Sequence, residues 1–76
     1  MTVILDVRRL LCPLPVIRVQ DKIQELNNGD ILQVICTDPG VKHDIPAWCR
    51  IHGHSLQSIE DHEKEILITI RVVRKI

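Results

Sequence analysis

The amino-acid sequence predicts an α+β fold: a two-layer α/β sandwich of order β-α-β-α-β-β, with a four-stranded mixed sheet and two helices on one face. Three observations predict it. Val16, Val19, Ile23 and Leu26 recur at intervals of three and four, the period of a helix with one apolar face. A near-continuous apolar run (Ile31, Leu32, Val34, Ile35) lies between Asp30 and Thr37, as in a central strand covered on both faces. Ile66, Ile68, Ile70 and Val72 alternate strictly, which places all four on one face of a strand.

The elements follow in order. Val3 to Val7 reads as a short first strand. The first helix becomes regular at Val16 and carries Arg18, Asp21, Lys22 and Glu25 on its outer face. Asn27-Asn28-Gly29 stops it, because Asn and Gly tolerate the left-handed conformation of a helix cap. After the second strand, Asp38-Pro39-Gly40 makes a turn. A second helix runs from about Val41 to His52. Pro46 costs about 3 kcal/mol in a helix interior, so its regular part is expected to start near Asp44 as N-cap. Its apolar positions are Ile45, Trp48, Cys49 and Ile51, and Gly53 ends it. His54 to Glu60 is a third strand, Asp61 to Lys64 a hairpin turn and Glu65 to Arg74 a fourth strand. The first two strands should be parallel with a right-handed crossover, and the last two antiparallel. Leu67, Thr69, Arg71 and Val73 form the other face of the fourth strand, either solvated or a contact surface.

Composition narrows the function. The chain has 76 residues, so residues 1–76 read as a single small domain. A domain of this size buries only about 60% of its unfolded surface, which leaves little for a deep ligand cavity. Ten basic residues balance ten acidic ones, so no general phosphate-binding face exists. Trp48 is the only aromatic residue, which removes the stacking platform that single-stranded nucleic acid needs. Direct nucleic-acid binding is therefore not expected. The apolar runs are too short for a membrane span or a signal peptide, and a cytoplasmic protein is expected. Cys12, Cys36 and Cys49 are an odd number without zinc-like spacing, and a disulfide framework is not expected.

The chemistry concentrates at Leu11-Cys12-Pro13-Leu14-Pro15. Proline suits the first helical position, because its missing N–H has no intrahelical partner there. Cys12 thus sits at or next to the N-cap, or one step further out if the helix starts at Pro15. The thiolate is the nucleophilic form of cysteine. A helix end contributes roughly 0.3–1 kcal/mol to a nearby anion, at best about 2. That corresponds to a thiol pKa lowered by about one unit. A persulfide is a larger and more acidic anion, and the same position favours it. Pro13 and Pro15 stiffen the loop, leaving the amides of Leu14 and Val16 as donors. Arg8 and Arg9 are close in sequence and would add positive charge.

A bland reading stands beside the reactive one: Cys12 as a small buried hydrophobe next to Leu10 and Leu11. No His-Asp or His-Asn pair follows at protease-like spacing, and the chain is too short for a cleft with a base and an oxyanion hole. A lone reactive thiol can pass a group between partners and do little else. Cys36 and Cys49 read first as core residues, with a redox role for Cys49 as the alternative. His52-Gly53-His54 is a weak metal signal, and His43 and His62 read as exposed polar residues. Asp38 and Asp44 read as helix caps, and Asp6 as a structural acceptor for loop amides near Cys12. Arg71, Arg74 and Lys75 read as a solvated end, or as a docking site for an acidic partner.

Together, Asp6, Cys12-Pro13-Leu14-Pro15, Thr37-Asp38-Pro39-Gly40 and Asp44-Ile45-Pro46 resemble the TusA family of small sulfur carrier proteins, also described as SirA-like, over nearly the whole chain. The resemblance implies the two-layer fold above and a Cys12 that accepts sulfane sulfur as a persulfide and relays it. It implies a cysteine desulfurase or a rhodanese as donor and a DsrE-like protein as acceptor; separately, the residues themselves lead us to expect no cofactor and no metal. It leads either to tRNA 2-thiouridine synthesis or to dissimilatory sulfur metabolism, by a sulfurtransferase-type carrier rather than a stand-alone enzyme. Arg9 stands where the family often has Gly, and Leu11 where it often has a polar residue; both change the surface beside the thiol. The alternative is a non-catalytic interaction or regulatory module that uses the open sheet face.

Overall fold

The computed structural model describes residues 1–74. Its elements are β1 (Thr2–Asp6), α1 (Leu14–Gln24), β2 (Ile31–Cys36), α2 (Val41–His52), β3 (Ser55–His62) and β4 (Glu65–Arg71). They form a four-stranded mixed sheet of order β1-β2-β4-β3. β1 runs parallel to β2, while β4 pairs antiparallel with both β2 and β3. The two strands with the most regular apolar patterns, β2 and β4, are the two central ones. The predicted order of elements and the mixed sheet are those observed.

One apolar cluster holds the layers together. Leu32, Val34 and Cys36 of β2 and Ile66, Ile68 and Ile70 of β4 meet Val19 and Ile23 of α1 and Val41, Ile45 and Cys49 of α2. Both helices therefore cover the same face. Each fully buried Leu, Ile or Val contributes about 1.5–3 kcal/mol relative to exposure. The opposite face is left open. By register it carries Ile4 of β1, Gln33 and Ile35 of β2, and Leu67 and Thr69 of β4. β2 is thus central but covered by helices on one side only, and its residues Ile31, Gln33 and Ile35 are half-buried.

α1 begins earlier than the apolar spacing suggests. Pro13 is the N-cap and Pro15 lies in the first turn, buried in the same line as Val19 and Ile23. At its other end the Arg74 guanidinium donates to the carbonyls of Ile23 and Leu26. Arg74 is therefore a helix cap and not a solvated end, a role that complements the negative end of the helix. Lys75 lies outside the described residues.

α2 starts at Gly40 and runs through Pro46. Asp44 is thus inside the first turn and is not the N-cap. Val41, Ile45 and Cys49 are all buried at four-residue spacing, so the core grips the helix on both sides of the proline and offsets its cost. Ile51, expected on the apolar side, is exposed. Gly53 ends the helix at φ +78°, where a residue with a Cβ is disfavoured. The Trp48 ring packs near those of His52 and His54, with centroids 4.5 and 5.4 Å away. β3 carries a bulge between Leu56 and Ser58 and extends to His62, shortening the hairpin turn to Glu63 and Lys64.

Candidate functional site

The β1–α1 and β2–α2 connections emerge side by side, because parallel β1 and β2 end together, with Asp6 opposite Ile35. Each carries chemistry-bearing residues, and the sheet brings them into contact. Cys12 lies in the first connection, immediately before the N-cap Pro13. The Cys12–Pro13 peptide is cis. Cys12 is exposed, whereas Cys36 and Cys49 are buried, and all three are free. The buried-hydrophobe reading of Cys12 is therefore set aside.

The second connection holds the Cys12 loop in place. The Cys12 N–H donates to Asp38 Oδ2 at 3.0 Å, and the same carboxylate accepts the Gly40 N–H through Oδ1 at 3.1 Å. Asp38 thus ties the cysteine loop to the start of α2. The Cys12 Sγ donates to Asp44 Oδ2 at 2.9 Å. The Arg9 N–H donates to Thr37 Oγ1 at 2.8 Å. Arg9 itself has φ +70°, a left-handed conformation that L residues with a Cβ seldom adopt.

These contacts reverse the electrostatics expected from sequence. From the sequence, the helix end, Arg8 and Arg9 all argue for a lowered thiol pKa. Instead the hydrogen bond to Asp44 pushes the Cys12 thiol up, and desolvation and the charges of Asp44 and Asp38 act in the same direction. Arg8 does not offset them. Its guanidinium bonds Asp6 at 2.8 Å and Glu65 at 3.0 Å, so its charge is paired within the loop. Asp6 also accepts the Arg8 N–H at 3.0 Å, and these bonds hold its carboxyl down at about 2. Asp6 is accordingly the structural acceptor that its position suggests. The Leu14 amide is not a free donor either, since it bonds the Leu11 carbonyl at 2.9 Å.

The surroundings of Cys12 are open on two sides. Leu11, Leu14 and Ile17 are 71%, 44% and 45% exposed and form an apolar rim along the start of α1. An open groove beside the loop is lined by Arg8, Arg9, Arg18 and Lys64 together with Asp6 and Glu65. The surface beside Cys12 is thus apolar on one flank and net basic on the other. Burial raises the thiols of Cys36 and Cys49 to about 11, so both resist ionisation near neutral pH.

Cys12, Pro13, Leu14, Pro15, Arg8 and Arg9 are thus neighbours in one loop and helix start. Asp38, Asp44 and Thr37 join them only through the fold, from the second connection. The one signal available is that all three belong to the same set of motif residues as Cys12. No cluster of three or more His, Cys, Asp and Glu able to hold a metal occurs among the described residues. Among them, too, no helix is long and apolar enough to cross a membrane.

Comparison with known proteins agrees with this geometry. Residues 3–72 match the family model of the sulfurtransferase TusA. The sulfur carrier protein TusA of Pseudomonas syringae pv. syringae is 40% identical over 67 residues, covering 88% of this chain and 80% of that one. That of Pseudomonas aeruginosa is 40% identical over 68 residues, covering 90% and 86%. The crystal structure of a SirA-like protein from Desulfitobacterium hafniense superposes with a TM-score of 0.82 at 22% identity, covering 95% of this chain and 99% of that one. The last shares the fold; the first three place the sequence. The chain belongs to the TusA family of sulfur carrier proteins.

Proposed function

We propose that Cys12 carries sulfane sulfur as a persulfide, taken from a donor protein and yielded to an acceptor protein cysteine. The observation that carries this reading is the contrast among the three thiols. Cys12 alone is exposed, at the rim of a contact surface, while Cys36 and Cys49 are 0% and 1% exposed. In a sulfur carrier family, that leaves one thiol for the cargo.

The step balances without an oxidant. The Cys12 sulfur, relieved of its proton, attacks the outer sulfur of a donor persulfide. The bond that forms joins Cys12 Sγ to that sulfur. The donor's S–S bond breaks, and its electron pair stays on the donor sulfur as a thiolate. That thiolate takes the proton that Cys12 released. One persulfide replaces another, so no net oxidation or reduction occurs. Pro13 and Pro15 fix the loop, Leu14 joins the apolar rim, and Arg9 lines the basic groove. Arg8 acts through its ion pairs as a brace for the loop.

A cysteine desulfurase or a rhodanese is the donor class that this chemistry calls for, and a DsrE-like protein the acceptor class. The basic groove suits an acidic partner surface. Neither a membrane nor direct nucleic-acid binding enters the scheme, and the setting is the cytoplasm. The onward route is tRNA 2-thiouridine synthesis or dissimilatory sulfur oxidation. Intact mass after incubation with a desulfurase and cysteine tests the proposal. One added sulfur should persist in Cys36→Ser and Cys49→Ser and vanish in Cys12→Ser. Sulfur that remains in Cys12→Ser refutes it.

A further inference from the structure

The carboxylate at the Cys12 sulfur is an unexpected companion for a nucleophile. Carboxyl groups are stronger acids than thiols by about four to five pKa units, so the proton shared between such a pair resides on sulfur. The contact is then an S–H donating to a carboxylate, from Cys12 Sγ to Asp44 Oδ2 at 2.9 Å. It favours the neutral thiol, which is the unreactive form. Every charged group that bears on the sulfur acts in this sense. Asp44 comes from the first turn of α2 and Asp38 from the turn before it, and both are acidic. The cations of the sulfur's own loop are Arg8, which is turned to Asp6 and Glu65, and Arg9, which lines the open groove beside the loop.

Resting on the carrier reading above, we propose that Asp44 is a positioning residue that latches the empty carrier, accepting the S–H of Cys12 so that sulfur uptake requires this bond to break. The latch is selective because the two states differ in acidity. An empty Cys12 has a proton on Sγ to donate. A loaded Cys12 has a second sulfur on Sγ and, as the more acidic persulfide, is ionised near neutral pH, so it has no S–H to donate. The bond to Asp44 therefore exists only in the empty state. The empty thiol is held back from oxidants and alkylating agents, which act on thiolates. A docking partner opens the latch by giving Asp44 another hydrogen-bond donor. The loaded sulfur has no such tether and is free to face the acceptor.

The test is the rate of iodoacetamide alkylation of native protein across pH, read by intact mass, in wild type, Asp44→Asn and Asp44→Glu. Cys36 and Cys49 are buried and do not compete. The Asp44→Asn profile should move to lower pH, with a rate at neutral pH raised by about tenfold per unit of displacement. Asp44→Glu, which keeps the acceptor and the charge, should stay near wild type. Profiles of wild type and Asp44→Asn that superimpose overturn the latch. Thermal melts establish that each variant is folded, and Asp44→Ser replaces Asp44→Asn if the latter is not. No sulfur donor enters this assay. A displaced profile in a protein that never loads sulfur leaves the latch standing and removes the carrier reading. Sulfur loading with superimposed profiles does the opposite.

Discussion

Asp38 is where the stability of the fold and the placement of the thiol meet, and its removal has a calculable effect. Its two oxygens accept the Cys12 and Gly40 amides at 3.0 and 3.1 Å. Hydrogen bonds to a charged acceptor contribute about 1.5–3 kcal/mol when buried; for this half-buried carboxylate about 1 kcal/mol each is the better figure. Asp38→Ala should therefore cost about 2 kcal/mol. Unfolding entropy of about 2.1 cal/mol/K per residue makes 1 kcal/mol equivalent to about 6 °C in a chain of this length. Differential scanning calorimetry should show Tm falling by about 12 °C in Asp38→Ala. Asp38→Asn keeps one acceptor oxygen and should lose about half of that. A small domain has about 4–11 kcal/mol in total, so both variants should fold. An Ala variant that melts within about 2 °C of wild type refutes the reasoning, as does an Asn variant that falls as far as Ala.

Two other outcomes follow from the C-terminal end of α2 and the residue after it. Gly53 is at φ +78° with open space around the position of a Cβ, so Gly53→Ala carries a backbone cost without a clash. That cost is about 1 kcal/mol, or about 6 °C in Tm, and an unchanged Tm contradicts it. His54 accepts the Val73 N–H through Nδ1 at 3.1 Å, and burial, then the charges of Arg74 and His52, hold its pKa below the usual imidazole value. The unfolded chain therefore takes up this proton first on acidification. Stability should fall as pH drops from about 6.5 through the folded pKa. Melts from about pH 8 to about pH 5 should show this limb in wild type and lose it in His54→Asn. A flat wild-type curve over that range argues against the assignment.

Much of the fold is legible in sequence because its strongest signals are local. The alternation of Ile66, Ile68 and Ile70 marks β4 as buried on one side, and the Val19–Ile23 spacing marks the inner face of α1. Errors arise where distant contacts override local rules. Pro46 argues for a late start to α2, yet the burial of Val41 and Ile45 carries the helix back to Gly40. Arg74 reads as a chain end until α1 carbonyls are found beside it. The same holds at the site. The loop position of Cys12 and its flanking prolines are local and can be read. Its sulfur, however, bonds a carboxylate 32 residues away, and its amide one 26 residues away. Neither spacing has a period that a linear reading detects. The helix end and the neighbouring arginines point to a lowered thiol pKa, whereas these distant carboxylates raise it.

The cysteine and both of its restraining carboxylates meet only after two β-α units have come together. During synthesis or after unfolding, the chain carries that sulfur unaccompanied, and its ordinary acidity returns. Here native folding subdues a side chain that elsewhere would be awakened by it. Damage by oxidants should accordingly fall hardest on incomplete or misfolded copies, which makes the finished domain its own safeguard.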